Sequence, residues 1–211
     1  IPRAHAPAAV CQPSRYAILS GSYFARARRP GGQTLYFHEG QVTLPGLLTS
    51  AGYRTAALGK WHLGFGSTEQ RVDWNGELKP GPLEVGFDYF FGDVSNRWGP
   101  YVENHRIVGL KSDDPIRFEE RKLVSGKSAF GMKNEENARV LHEKALAFIE
   151  RSKDKPFYLH YVPNNIHTPL TPNPKFAGAS QAGKYGDFVQ ELDWSVGELL
   201  AALDRLKLAD N

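Results

Sequence analysis

The chain is predicted to fold as an α/β protein around an open, mostly parallel sheet. Helical stripes alternate with isolated apolar runs, the pattern of a sheet with helices packed against it. Its densest chemistry, Gly59-Lys60-Trp61-His62, directly follows one of those runs. Open α/β sheets gather functional residues just past the carboxyl ends of strands. The bulk composition agrees: 41% apolar and 23% charged residues among 211 are ordinary for a globular domain with a real core.

Residues 1–10 read as an extended lead-in, because Pro2 and Pro7 disfavour helix. A helical pattern starts near Ser14, with Ile18, Leu19 and Tyr23 apolar, and the Arg/Pro/Gly-rich residues 26–32 break it. Cys11 then sits at a helix start, where unpaired N–H groups and the positive dipole end favour an anion. Thr43 is the expected N-cap of a short helix carrying Leu44, Leu47 and Leu48, and Gly52 its stop. Residues 53–58 read as a strand. Residues 65–133 are expected to be a loop-rich insertion bordering the substrate pocket, with Tyr89, Phe90 and Phe91 as core. From 134 to 151, apolar residues at 138, 141, 145, 148 and 149 form one helical face. Residues 157–162 read as a buried strand that opens into the loop 163–169. The last helix, roughly 184–206, carries Phe188, Leu192, Val196, Leu199, Leu200, Leu203 and Leu206 at helical spacing. All 211 residues are assigned to one domain.

Several function classes are disfavoured. Lys and Arg outnumber acids only 26 to 23, a net charge of +3 too small and scattered for a nucleic-acid footprint. No apolar run reaches the roughly 20 residues of a membrane span. No secretory leader is legible at Ile1, and the ends read as those of an internal fragment. The single cysteine excludes an intrachain disulfide.

A lone cysteine is ordinarily a small buried apolar side chain. Here Cys11-Gln12-Pro13-Ser14-Arg15 runs on to Leu19-Ser20-Gly21. The stretch resembles the sulfatase signature C-x-P-S-R, closed by L-S-G, and matches at every fixed position. Residues 52–62 resemble the second signature of that family, G-Y-x-T-x-x-x-G-K-W-H, and residues 163–169 a third pattern, P-x-x-x-H-x-P. The three occur in family order.

The resemblance implies an alkaline-phosphatase-like sandwich, a central mixed, mostly parallel sheet flanked by helices. It implies hydrolysis of a sulfate monoester of an aryl or carbohydrate alcohol. In the family, the cysteine corresponding to Cys11 is converted by a maturation enzyme to Cα-formylglycine, whose hydrate is the nucleophile and a ligand of a divalent cation, usually Ca²⁺. Arg15 matches the arginine supporting the formylglycine, Lys60 the sulfate-binding lysine, His62 the histidine beside the gem-diol, and His167 a histidine near the sulfate or leaving-group oxygen. Asn96, with Ser95 and Arg97, follows a Gly-Phe-Asp-Tyr-Phe-Phe-Gly run resembling a segment near the substrate pocket. Export to the periplasm or outside the cell is the family habit.

The chain also departs from the pattern. The acidic ligands of the cation are expected outside these residues: Asp113-Asp114 follows two motifs instead of preceding them, and Asp210-Asn211 precedes the strand it should follow. A further lysine of the pattern is missing. Two alternatives stay open: a formylglycine-dependent phosphonate or phosphodiester hydrolase, which Ser14 tilts against, and a non-catalytic sulfated-glycan-binding protein with an unmodified Cys11.

Overall fold

The computed structural model describes residues 5–27, 34–69, 72–94, 100–119, 122–123, 126–129 and 133–210. Its centre is a five-stranded sheet in the order β4-β3-β2-β1-β7. The strands are β1 (Arg54–Gly59), β2 (Tyr89–Asp93), β3 (Tyr101–Glu103), β4 (Arg106–Ile107) and β7 (Phe157–Val162). β1 lies between β2 and β7 and is parallel to both, whereas β2–β3 and β3–β4 are antiparallel. Four of the five strands therefore run one way. A separate antiparallel pair joins β5 (Phe118–Glu119) to β6 (Lys122–Leu123).

Each element has a local cause. The helix α1 (Cys11–Ser20) ends at Gly21, whose φ of 65° is the left-handed cap that glycine adopts without strain. Thr43 caps α2 (Leu44–Ser50) by accepting from Gly46 N–H. Period-2 alternation in the strands separates two cores. On one face Ala57 and Phe90 pack with Tyr16, Leu19 and Trp61; on the other Leu58 and Phe91 pack with Leu141, Ala145 and Ile149 of α3 (Asn137–Ser152) and Leu199 of α4 (Gly183–Arg205).

Two features go beyond what the sequence predicts. Residues 65–133, expected to be a loop-rich insertion, also supply β2, β3 and β4 of the central sheet. Their brevity, 5, 3 and 2 residues, hides the period that a pattern search needs. The buried face of α4 is also rotated from the apolar stripe: Glu191 and Ser195 are buried, while Val196 and Leu200 are exposed. Hydrogen bonds to Asn165 and to Tyr161 make that polar burial tolerable.

Candidate active site

The site forms where α1 begins beside the carboxyl ends of β1, β2 and β7. The loop after β1 is held by its main chain. Lys60 N–H donates to Val162 O at 3.0 Å, Trp61 N–H to Asp93 O at 3.0 Å, and His62 N–H to Val94 O at 3.1 Å. Trp61 sends its ring into the core against Phe37, Phe87 and Phe90. Its neighbours are thereby directed to the site. His62 adopts φ 59°, a left-handed conformation costing a non-glycine residue about 1 kcal/mol.

Glycines allow the strands to close behind this loop. A Cβ on Gly59 would lie 2.1 Å from Val162 O, and one on Gly92 only 1.7 Å from Gly59 O. Side chains are excluded there by backbone.

The first turn of α1 meets this loop. Cys11 Sγ lies 3.3 Å from His62 Nδ1, and Gln12 Nε2 donates to His62 O at 3.1 Å. Arg15 donates through a guanidinium nitrogen to Lys60 O at 2.5 Å. Four of the expected site residues, Cys11, Arg15, Lys60 and His62, are thus assembled from two distant stretches. His167, in the loop after β7, is exposed and close enough to act electrostatically on His62. Asn96, with Ser95 and Arg97, lies outside the described residues.

The electrostatics follow from this crowding. Burial pushes the Cys11 thiol up, but the charge and hydrogen bond of Lys60 outweigh it and leave the pKa below the ordinary value. Burial and the charges of Lys60, Arg15 and His167 press His62 down to about 4, so its imidazole is neutral near pH 7. Burial and the Arg15 charge lower Lys60, opposed by Cys11 and Asp93. Two cations beside a half-buried thiol and a neutral imidazole favour an anion at this point and offer it a proton acceptor.

Two residues that sequence reasoning passed over complete the floor. Asp93, the last residue of β2, is 6% exposed and accepts from the Asn164 side-chain amide. Burial pushes its carboxyl up to about 6, against the Asn164 bond and the charges of Lys60 and Arg15. The available signal was position, since both residues are polar and stand at or just past the end of an apolar strand.

The described residues do not by themselves fit the divalent cation that the family implies. They contain no group of three or more His, Cys, Asp or Glu able to hold a metal. Buried oxygens of Asp93 and Asn164 lack hydrogen-bond partners among the described residues, but Arg15 and Lys60 act on the same carboxylate and oppose a further positive charge. Asp114 instead accepts from Gly126 and Ser128 N–H, a loop-holding task.

Comparison with known proteins agrees with this arrangement. The family model described as Sulfatase matches residues 1–211. An N-acetylgalactosamine-6-O-sulfatase of Bacteroides thetaiotaomicron is 34% identical, over 99% of this chain and 49% of the relative. Human N-acetylgalactosamine-6-sulfatase is 32% identical, over 96% of this chain and 39% of the relative. A solved structure described under the metabolism of multiple glycosaminoglycans by B. thetaiotaomicron superposes with a TM-score of 0.90 at 33% identity, covering 98% of this chain and 52% of that one. The PsFucS1 sulfatase from Pseudoalteromonas sp. gives 0.63 at 28% identity, covering 94% and 42%. The chain thus spans half or less of the length of these curated relatives. No helix among the described residues is long and apolar enough to cross a membrane. The alkaline-phosphatase-like α/β fold expected from the motifs is the one found, and with its family model matched from end to end, the chain belongs to the sulfatase family.

Proposed function

We propose that the protein hydrolyses sulfate monoesters through a formylglycine at position 11. The observation that carries this reading is the approach of Cys11 Sγ to His62 Nδ1 at 3.3 Å, with the Lys60 charge lowering the pKa of the same thiol. After conversion by a maturation enzyme, the hydrated aldehyde bears two hydroxyls on the carbon that carried sulfur. One attacks the sulfur of the ester, forms a new S–O bond and releases the alcohol, which takes up a proton. The second then loses its proton to His62, the carbonyl reforms, and the C–O bond to sulfate breaks. Water rehydrates the aldehyde. This divides one hard displacement into two easier steps.

Arg15 supports the charge on the formylglycine, with a fork that stays charged when buried. Lys60 balances the non-bridging oxygens of the transition state. His62, neutral at working pH, is the base of the elimination step. His167 contacts the sulfate or the leaving-group oxygen. A Ca²⁺ ion would be held by position 11 together with acidic ligands from outside these residues.

The names of the relatives favour a carbohydrate ester, with 6-sulfated N-acetylgalactosamine the first substrate to try and sulfated glycans the wider class. Export to the periplasm or cell exterior fits such a substrate. The test joins peptide mass spectrometry across Cys11 with turnover of matched aryl sulfate, aryl phosphodiester and 6-sulfated N-acetylgalactosamine, on full-length protein co-expressed with the maturation enzyme. An aldehyde mass with sulfate release is expected. Phosphodiester turnover without sulfate release would move the protein to the related phosphoryl enzymes. An unmodified thiol that binds sulfated glycan without turnover would make it a binding protein.

A further inference from the structure

Next to Arg15 and Lys60 lie two buried polar side chains, Asp93 and Asn164, to which the reaction above gives no task. Asp93 Oδ1, Asn164 Oδ1 and Arg15 Nε are all buried without a hydrogen-bond partner among the described residues. Asp93 is tied to the site from both sides. Its carbonyl accepts from Trp61 N–H at 3.0 Å, between Lys60 and His62, and its carboxylate accepts from Asn164, three residues before His167. Its negative charge acts on both Arg15 and Lys60. The other group with that effect on both cations is the Cys11 thiolate. Conversion of Cys11 to an uncharged aldehyde removes the group that could ionise there. Among the described residues, Asp93 is then the carboxylate left acting on these two positive charges.

We infer that Asp93, held by Asn164, is a positioning residue whose charge offsets Arg15 and Lys60, so that the site binds a sulfate group without trapping the sulfate product. The inference rests on the sulfatase reading. A burden accompanies the role, because an ionised carboxylate removed from water and lacking one hydrogen bond is unfavourable unless its surroundings compensate. Burial has indeed pushed its carboxyl up to about 6, so the ionised form weighs against the fold at neutral pH. Function and stability therefore pull in opposite directions at this residue, which a purely structural carboxylate would not do.

The experiment compares wild-type full-length protein, with position 11 converted, with Asp93→Asn and Asp93→Ser. The amide keeps an oxygen for the Asn164 donor while removing the charge, and serine leaves room for water. Turnover of a sulfate ester, competitive inhibition by inorganic sulfate and Tm are read near pH 7. Expected for Asp93→Asn are inhibition by sulfate tightened about tenfold, the change that 1.4 kcal/mol of binding produces, a lower kcat with no rise in KM, and a Tm equal to or above wild type. Unchanged or weaker inhibition by sulfate, or a fallen Tm with unchanged kinetics, would overturn the inference. So would failure of both variants to fold, because the charge would then be needed by the structure. A wild-type protein that hydrolyses no sulfate ester refutes the proposed function itself, a result distinct from all of these.

Discussion

The side-chain amide of Asn165 donates to Glu191 Oε2 at 3.0 Å, joining the loop after β7 to the middle of α4. The preceding residue, Asn164, turns instead to Asp93 at the end of β2. Adjacent asparagines thus fasten the loop bearing His167 to two buried carboxylates. Glu191 also accepts from Asn173 N–H at 3.3 Å and is only 1% exposed. Glu191→Ala strands these donors and leaves a void, and we expect a loss of about 3 kcal/mol in stability. Denaturant unfolding measures it. Because the freed loop carries His167, KM for the sulfate ester should rise more than kcat falls; equal KM values would separate His167 from this anchor.

Lys60→Ala removes the cation nearest Cys11, and we expect kcat/KM to fall about 10²–10³-fold, as for other preorganised charge stabilisers. Arg15→Lys keeps a positive charge but loses the guanidinium fork that reaches Lys60 O. Its activity should fall as well, with Tm within a few degrees of wild type. Steady-state kinetics with a chromogenic aryl sulfate check both. Full activity in Arg15→Lys would show that charge alone suffices there.

Gly92→Ala is expected to be the harshest small substitution in the sheet. The added carbon would lie 1.7 Å from Gly59 O, against backbone that cannot turn aside. A destabilisation of about 4 kcal/mol or more belongs with such clashes. Little folded protein should be recovered, whereas Gly197→Ala on α4, with nothing within 4 Å, should fold as wild type.

Acidification should weaken the fold through its histidines. His62 and His160 are held down to about 4 by burial first and then by nearby positive charge, against 6.5 when unfolded. The unfolded chain thus binds more protons between about pH 4 and 6.5, and stability rises with pH across that window. Asp93 acts oppositely: its folded carboxyl protonates near 6 against 3.8 unfolded, so its contribution falls as pH rises between those values. His160→Gln should flatten the dependence of Tm on pH through the histidine window, and Asp93→Asn should steepen its lower part. Thermal melts over that range decide each.

Much of this was legible because local chemistry is legible. Thr43 as cap, the bounds of the strand at 157–162 and the long helices agree with the structure within a few residues, since period and capping act over short stretches, although that strand, read as buried, is half-buried throughout. The meeting of Cys11, Lys60 and His62 rested on motif resemblance; no periodicity announces that residues 51 apart touch. Asp93 and Asn164 escaped because a buried carboxylate and an amide look, in sequence, like an ordinary polar strand end. The face of α4 was misjudged at Glu191 and Ser195 because their partners, Asn165 and Tyr161, come from a different element. Burial of a polar residue is decided by its partner, and the partner is a tertiary fact.

The three main-chain bonds from Lys60, Trp61 and His62 to Val162, Asp93 and Val94 have a practical meaning for redesign. These bonds run through peptide groups, so they persist when a side chain at one of the positions is changed, provided that the backbone keeps its path. Val162 can therefore be varied without removing its bond to Lys60 N–H, whereas Val94 also packs its side chain on the core and tolerates only apolar replacements. Gly59 and Gly92 must stay constant in any such variant. New specificity is best sought in the walls, with the floor left alone.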